Sequence, residues 1–348
     1  MAEYDLTNKL VVGIAPSALF DVRDSHDAFT RGLDEYRRYQ DEHIDDPLPR
    51  GAAFPFVQRL LGLNDLRPGD PLVEVIVLAK DDATTGLRIM NSIAHYGLDI
   101  TRAVFTGGRA PYEYIDALNV CLFLSGSASD AEAASSAGYP AGQVLGRTAL
   151  ETDADDPNGL LVALDFDQVL ADGEAEARYL STTFDEYLAY ERDHASTPLG
   201  AGPMKRFLVA LGRIQEAERQ HSKDFTDYKP RVRLALVTAR QAPAHERAVR
   251  TLRSWAVEVN DAFFLGGVRK AHVLAVLRPH IYFDDQINHL QHARATVASV
   301  LVPYAARASS EPQNDADADL SPQAASAPER GEAGLGGAKG AMSPSLDH

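Results

Sequence analysis

The sequence predicts an α/β protein made of two tandem parallel-sheet domains that arose by internal duplication. Short apolar strands alternate with amphipathic helices, and the same order of elements occurs twice along the chain. Matching strings recur at a spacing of roughly 150–159 residues, which is a period of whole domains and not of solenoid units. Alternating strands and helices of this kind form parallel sheets that are covered by helices on both faces.

Several short segments of the two copies match in sequence and follow one another in the same order. The matched pairs are 33–36 with 184–187, His43 with His194, Gly51 with Gly202, 73–79 with 232–238, and 105–108 with 264–267. Each copy therefore predicts a strand, a long helical insert, and then strand, helix, strand, helix, strand. The helix after the second strand has apolar residues at the i, i+4, i+7 spacing of a buried helix face in both copies.

The duplication divides the chain into a first domain at 1–150, a second domain at 151–305 and a tail at 306–348. In the second copy the insert at about 172–228 follows the first strand. It is too long for a plain crossover, so we expect a helical cap over the strand ends, and a corresponding insert in the first copy. The tail is rich in Ala, Ser, Pro, Gly and Asp and has almost no large apolar residues, which predicts disorder.

Composition limits the class of protein and its surroundings. A net charge of −16 argues against nonspecific binding to nucleic acid or to an anionic membrane. The single cysteine excludes an internal disulfide and indicates a reducing compartment. We see no basic, apolar leader and no apolar run long enough to span a membrane. The sequence therefore predicts a soluble, cytoplasmic protein, and it leaves open whether the chain forms a homo-oligomer.

Six polar residues stand at or near the ends of strands in the second copy. They are Asp165, Asp167, Thr238, Lys270, Asp284 and Asp285. Because ligands of α/β folds bind at the carboxyl ends of parallel strands, we expect these side chains to lie together. The first copy has Ala15, Ser17, Ala79, Pro111, Ser125 and Gly126 at the matching positions. All six polar groups are absent there, which indicates that they act as one functional unit.

The pattern suits hydrolysis of a phosphate ester. Asp165 can serve as the nucleophile and form an aspartyl-phosphate, which divides a slow reaction into two steps. Asp167 can protonate the leaving oxygen and later activate water. Thr238 can donate a hydrogen bond to a phosphoryl oxygen, and Lys270 can supply positive charge near a helix start. Both are therefore predicted to be catalytic and substrate-binding residues.

A cation is needed because clustered carboxylates repel a phosphate dianion. We assign Asp165, Asp167, Asp284 and Asp285 to a metal site, and their hard oxygen atoms suit Mg²⁺. Two further residues, Arg240 and His245, follow Thr238 and either contact the substrate or serve the structure. In contrast, we expect His289 and His292 to be ordinary helix-surface residues.

Each of these residues also has a common structural interpretation. An Asp-x-Asp pair can cap a turn, Thr238 is an ordinary strand residue, and a single lysine is usually on the surface. The order of all six along the chain favours the functional interpretation. The glycine pairs at 107–108 and 266–267 do not form a dinucleotide-binding fingerprint, because no G-x-G-x-x-G follows either first strand.

The order Asp-x-Asp-x-Val, Val-Thr, Lys, Asp-Asp resembles that of the haloacid dehalogenase (HAD) superfamily, and Asp167 is typical of its phosphatases. Longer strings are similar to the cytosolic type I 5′-nucleotidases, and the similarity extends over about 8–300. These strings lie at 18–21, 54–57, 86–93, 96–102, 242–247, 254–255, 263–267 and 283–286. The resemblance implies two HAD-like, Rossmann-type domains, of which only the second is catalytic.

The same resemblance implies Mg²⁺-dependent removal of the 5′-phosphate from nucleoside monophosphates. In that reaction Asp165 would be the nucleophile and Asp167 the acid and base. The motifs do not fix the base preference, and they leave open whether a nucleotide effector such as ADP or ATP binds. Two alternatives remain: a phosphatase acting on another phosphorylated metabolite, and a nucleotide-sensing protein without turnover.

Overall fold

Strands and helices alternate along the chain, and each half has one more helix and one more strand than the sequence predicts. The computed structural model describes residues 4–146 and 158–304, which contain ten strands and twelve α-helices. The strands are β1 Leu10–Ile14, β2 Val73–Ala79, β3 Arg102–Phe105, β4 Leu122–Ser125, β5 Ala141–Leu145, β6 Leu160–Leu164, β7 Val232–Thr238, β8 Asp261–Phe264, β9 Ile281–Asp284 and β10 Ser299–Leu301.

The helices occupy the segments between these strands. They are α1 Pro16–Leu19, α2 Arg23–Thr30, α3 Leu33–Glu42, α4 Phe54–Gly62, α5 Gly86–His95, α6 Ala128–Ser136, α7 Glu174–Ser181, α8 Phe184–Asp193, α9 Lys205–Asp224, α10 His245–Ser254, α11 Lys270–Leu277 and α12 Ile287–Ala293. Two short 3₁₀ helices, Leu63–Leu66 and Pro111–Tyr114, complete the described elements.

All ten strands belong to one sheet, which confirms the predicted α/β class. Their order is β3-β2-β1-β4-β5-β10-β9-β6-β7-β8. Each strand of the second half takes the place of the strand five positions earlier in the first half. Neighbouring strands are parallel within each half, whereas β5 and β10 pair antiparallel, with Ser299 opposite Leu145. The two halves therefore share a sheet instead of forming two separate ones, and the pairing covers two strand edges.

The antiparallel junction reverses the direction of the strands. Strands β1 to β5 run one way along the sheet, and strands β6 to β10 run the other way. The carboxyl ends of the two sets of strands therefore lie at opposite edges of the sheet. A site at the strand ends of one half is separated from a site at the strand ends of the other.

The two halves also share one hydrophobic core. Alternate residues of the central strands, such as Val12 and Val162, belong to the same buried cluster. Helix α4 of the first half contacts β2 and β6, and helix α9 of the second half contacts β7 and β1. The ring centroids of Phe56 and Phe207, on these two helices, are 6.3 Å apart. The opposite face of the sheet has two smaller clusters, largely one for each half.

The insert predicted at about 172–228 contains the helices α7, α8 and α9. Its last helix, α9, buries Phe207, Leu211 and Ile214 and contacts strands of the sheet. Helices α7 and α8 contact each other, and α8 contacts α10, which follows β7. A glutamate on α8 enters the candidate site described below, so this part of the insert reaches the strand ends.

Two expectations fall outside the described residues. They are the boundary between 150 and 151 and the disorder of the tail at 306–348. Among the residues that the structure does describe, no helix combines the length and the apolar character needed to cross a bilayer.

We expect the fragment 150–305 to be far less stable than the whole chain. The fragment loses the β5 partner of β10 and the apolar face of α4, including Phe56. It also loses the hydrogen bonds that Arg59 donates to the carbonyl oxygen of Gly159 (2.6 Å) and that Arg231 donates to that of Gly62 (3.1 Å). Thermal melting by circular dichroism of both proteins measures the difference. A fragment with the same melting temperature as the whole chain would contradict a shared core.

Candidate active site

Three of the predicted residues meet at the carboxyl ends of β6 and β9. Asp165 follows β6 directly, Asp284 ends β9, and Lys270 begins α11. The Nζ atom of Lys270 lies 2.8 Å from Oδ2 of Asp165 and 2.8 Å from Oδ2 of Asp284. All three side chains are buried. The ammonium group therefore joins the ends of two adjacent strands by charge-assisted hydrogen bonds.

The turn before α11 sets the position of Lys270. Gly266 and Gly267 have φ values of 54° and 91°, which lie in the left-handed region that favours glycine. The two glycines end the segment that follows β8 and turn the chain toward the start of α11. The glycine pair at 266–267 does not form a dinucleotide-binding fingerprint. It forms the turn that precedes Lys270.

Burial and charge act in opposite directions on this cluster. Burial raises the pKa of Asp165 to about 6, although the charge of Lys270 opposes the rise. Burial would likewise raise the pKa of Asp284, but Lys270 and His289 hold it below its usual range. Burial alone would lower the pKa of Lys270, and the two carboxylates raise it above its ordinary value instead. At neutral pH the cluster is therefore an ammonium group between two carboxylates.

Asp285 completes a group of three carboxylates that could hold a metal ion. One oxygen atom each of Asp165, Asp284 and Asp285 lies within 4.8 Å of the others, and all three residues are buried. Oxygen donors at this separation are the ligand type that Mg²⁺ prefers. Asp167 is not in this group, because its carboxylate is paired elsewhere.

Asp284 has further partners that the sequence did not reveal. The hydroxyl of Tyr282, two residues earlier on the same strand face, donates to Oδ2 of Asp284. The backbone N–H of Gln286 donates to Oδ1 at 2.8 Å. Nδ1 of His289 lies 3.2 Å from Oδ2, so the expectation that His289 is an ordinary surface residue was wrong. Its position in the first turn of α12, five residues after Asp284, brings it back to the strand end.

Asp167 is held by Arg240 in a bidentate pair. Nε of Arg240 donates to Oδ2 at 2.9 Å, and a terminal nitrogen donates to Oδ1 at 2.8 Å. The guanidinium also lies over the ring of Phe166, 5.0 Å from its centroid. It donates to the carbonyl oxygen of Ala244 at 3.0 Å as well. The predicted acid and base is therefore fixed in direction by a buried arginine.

Glu191, on α8, connects this pair to a second buried arginine. Its carboxylate accepts hydrogen bonds from Arg240 and from Arg247, the latter at 2.9 Å. Glu191 is fully buried. Arg247 also donates to Oε1 of Glu174 at 3.0 Å and to the carbonyl oxygen of Thr197 at 2.9 Å. Glu191 could not be predicted from the sequence, because a single glutamate in a charged helix is indistinguishable from a surface residue.

Replacing Glu191 by glutamine should destabilise the protein by about 3 kcal/mol, since breaking a buried ion pair leaves charge without compensation. Two buried guanidinium groups would then share one fewer anion. Urea denaturation measures the free energy of unfolding. The control is Glu246→Gln, which breaks the exposed pair between Glu246 and Arg250 and should cost less than about 1 kcal/mol. Equal effects of the two changes would contradict a structural role of Glu191.

The other two predicted residues lie on the same edge of the sheet. Thr238 ends β7 and is buried, and its hydroxyl oxygen accepts a hydrogen bond from the backbone N–H of Arg240 at 3.2 Å. His245 begins α10, with its ring 5.4 Å from the ring of Phe264. Its buried Nδ1 atom has no hydrogen-bond partner among the described residues.

The first half keeps the supporting contacts of this site but lacks its polar residues at the strand ends. Arg88 donates to the carbonyl oxygen of Asp46 at 3.0 Å and to Gln40 at 3.3 Å, as Arg247 does to Thr197 and Glu191. Ser92 accepts from the backbone N–H of Leu48 at 2.9 Å, as Thr251 does from Leu199 at 3.0 Å. At the strand ends, however, the hydroxyl of Ser17 accepts from the backbone N–H of Gly126 at 3.1 Å, and the hydroxyl of Ser125 accepts from that of Ser127 at 3.1 Å.

Comparison with known proteins shows the family of this chain. The model of the 5′-nucleotidase family matches residues 2–309. The chain is 33% identical to human cytosolic 5′-nucleotidase 1B over 294 residues, which are 82% of this chain and 47% of that protein. The chain thus spans about half the length of this relative.

Among solved structures, histidinol dehydrogenase from Elizabethkingia anophelis matches with a TM-score of 0.20 and 8% identity, over 80% of this chain and 64% of that one. A similarity this low carries no argument. The chain belongs to the 5′-nucleotidase family, whose name denotes hydrolases of phosphoric monoesters.

Proposed function

We propose that the second half of this chain hydrolyses nucleoside 5′-monophosphates to nucleoside and phosphate in the cytosol. The observation that carries the proposal is the buried cluster at the ends of β6 and β9. There Lys270 lies 2.8 Å from both Asp165 and Asp284, and Asp285 is close enough to share a cation with them. The substrate class follows from membership of the family and from the name of the human relative.

In the proposed reaction Asp165 attacks the phosphorus atom and forms an aspartyl-phosphate. A pKa of about 6 leaves this carboxylate mostly ionised at neutral pH, so it can act as a nucleophile. Its Oδ1 atom accepts a hydrogen bond from the backbone N–H of Phe166 at 2.7 Å, which fixes the orientation of the carboxylate. Its buried surroundings exclude water from the first step.

Asp167 then serves as acid and base, with Arg240 as its positioning residue. Asp167 donates a proton to the leaving 5′-oxygen when its carboxyl group is protonated and its pair with Arg240 opens at one oxygen, and it afterwards regains a proton from the water that hydrolyses the aspartyl-phosphate. Arg240 has Asp167, Glu191 and a carbonyl oxygen as partners, so we assign it to orienting Asp167 and not to binding the substrate. Thr238 and Lys270 remain our candidates for contacts with the phosphoryl oxygens.

The donor set fits a magnesium ion. Asp165, Asp284 and Asp285 would hold it, and Asp167 remains paired with Arg240. When bound, the ion supplies positive charge that lets a phosphate dianion approach the carboxylates. Lys270 supplies part of this charge in its own right, since it sits between two of the three ligands.

We also propose that the chain consists of two HAD-like units related by duplication. The same strand order in both halves and the paired contacts of Arg88 and Arg247 support this interpretation. The first unit lacks the six polar residues at its strand ends. It keeps the hydrogen bonds by which Arg88 connects to the helical insert. It would therefore not contribute to hydrolysis.

A substrate panel tests the proposed function. We expect phosphate release from ribo- and deoxyribonucleoside 5′-monophosphates in the presence of Mg²⁺. Sugar phosphates and 3′-monophosphates serve as controls for the substrate class and should be poor substrates. Faster release from another phosphorylated metabolite would replace the nucleotide assignment, and no release from any member would favour a sensing role.

A further inference from the structure

The first half has a cavity where the second half has its catalytic cluster. The cavity measures about 190 Å³ and lies at the carboxyl ends of β1 and β2. Ala15, Ser17, Ala79 and Pro111 line it, at the positions that match Asp165, Asp167, Thr238 and Lys270. These four residues offer no carboxylate, no threonine hydroxyl and no ammonium group at the positions of the second-half cluster.

One charged position at this cavity has the opposite sign from its counterpart in the catalytic half. Asp81 stands two residues after Ala79, where Arg240 stands two residues after Thr238. Its Oδ1 atom accepts a hydrogen bond from the hydroxyl of Tyr36 at 2.5 Å, and burial raises the pKa of Asp81 above its usual range. The nearest lysine in the wall, Lys80, is paired with Asp130. The cavity therefore offers a hydrogen-bond acceptor where a phosphate would need a cation.

A second observation points to a ligand. Ser25, on α2, lines the cavity and is only 5% exposed, yet its Oγ atom has no hydrogen-bond partner among the described residues. A buried hydroxyl without a partner costs about 1–3 kcal/mol. A polar atom of a ligand would recover this energy. The lining also includes the apolar side chains of Phe29, Leu48 and Ile89, next to polar residues such as His26 and Gln40.

We propose that this cavity binds a small heteroaromatic molecule that carries no phosphate, with a nucleoside as the best-fitting class. The flat ring would pack against the apolar walls, an amino group would donate to Asp81, and Ser25 would supply the remaining hydrogen bond. The choice of a nucleoside rests on the proposed function, because it is the product of that reaction. The two sites lie at opposite edges of the sheet, so both can be occupied at once.

Titration calorimetry of the full chain with adenosine and with AMP tests the proposal. The variant Asp165→Asn is used as the background so that AMP is not consumed. Two changes alter the cavity: Phe29→Ala, at an exposed aromatic residue of its wall, and Asp81→Asn. The matched control is Leu180→Ala, because Leu180 occupies the position of Phe29 in the second half and is also exposed. Thermal melting checks that each variant folds.

We expect Phe29→Ala and Asp81→Asn each to weaken adenosine binding about tenfold or more, and Leu180→Ala to leave it unchanged. AMP should not compete for the site that these variants affect. Adenosine binding that is absent, or that neither cavity variant alters, would overturn the proposal. So would AMP binding at this site as tightly as adenosine. Calorimetry measures binding and does not depend on turnover. The binding result and the result of the substrate panel can therefore differ, and each tests its own proposal.

Discussion

Asp165→Asn should abolish phosphate release, with a loss on the order of 10³-fold or more in kcat, because the amide cannot act as the nucleophile. The change is nearly isosteric, and the side-chain oxygen can still accept from the backbone N–H of Phe166. Lys270 loses one of its two anionic partners but keeps Asp284 at 2.8 Å. We therefore expect the fold to persist, which thermal melting checks alongside a phosphate-release assay.

Two further variants separate loss of the nucleophile from general damage at the strand end. Asp167→Asn should reduce the rate by about 10²-fold or more through loss of acid and base catalysis. Ser17→Ala, at the matching position of the first half, should leave the rate unchanged. If Asp165→Asn retained ordinary activity, the covalent mechanism would be wrong.

Removal of divalent cations should have the second-largest effect. Oxygen atoms of three carboxylates lie within 4.8 Å of one another. The single charge of Lys270 cannot neutralise these carboxylates and a phosphate dianion as well. The missing stabilisation amounts to several kcal/mol, which corresponds to a rate loss of about 10²-fold to 10³-fold. The measurement is phosphate release in excess chelator, followed by titration with Mg²⁺. Full activity in the chelator would contradict the metal site.

The same site can be tested by mutation. Asp284→Ala removes a ligand and should nearly eliminate turnover at any Mg²⁺ concentration. The matched control is Ser125→Ala, since Ser125 ends β4 as Asp284 ends β9. It should barely change the rate. A similar loss in both variants would indicate that the effect is one of folding and not of metal binding.

The placement of Asp165 and Asp284 at one edge of the sheet could be predicted from sequence because both residues stand at the ends of short apolar strands. The strands that precede Asp165 and end at Asp284 are readable from hydrophobic runs, and parallel strands bring their ends to one edge. The comparison of the two copies then marked which polar residues belong together. Lys270 could be found in this way even though a lysine at a helix start is usually exposed.

The supporting residues could not be predicted, because long-range packing decides their role. Glu191 and Arg247 lie on different helices, and nothing local in either helix indicates a buried ion pair. His289 reaches Asp284 only because α12 begins immediately after β9. The antiparallel pairing of β5 with β10, which joins the two halves, could not be predicted either. Strand pairing across 150 residues leaves no periodic signal in the sequence.

The strand order has a consequence for self-association. With β5 and β10 paired, the outermost strands among the described residues are β3 and β8, each four residues long. Each carries a charged residue bonded to the adjacent strand: Arg102 to Glu74 at 2.6 Å, and Asp261 to Arg233 at 2.7 Å. Short, charged edge strands resist the addition of a further strand. Copies of this chain that associate should therefore meet through their helical faces and not by extending the sheet.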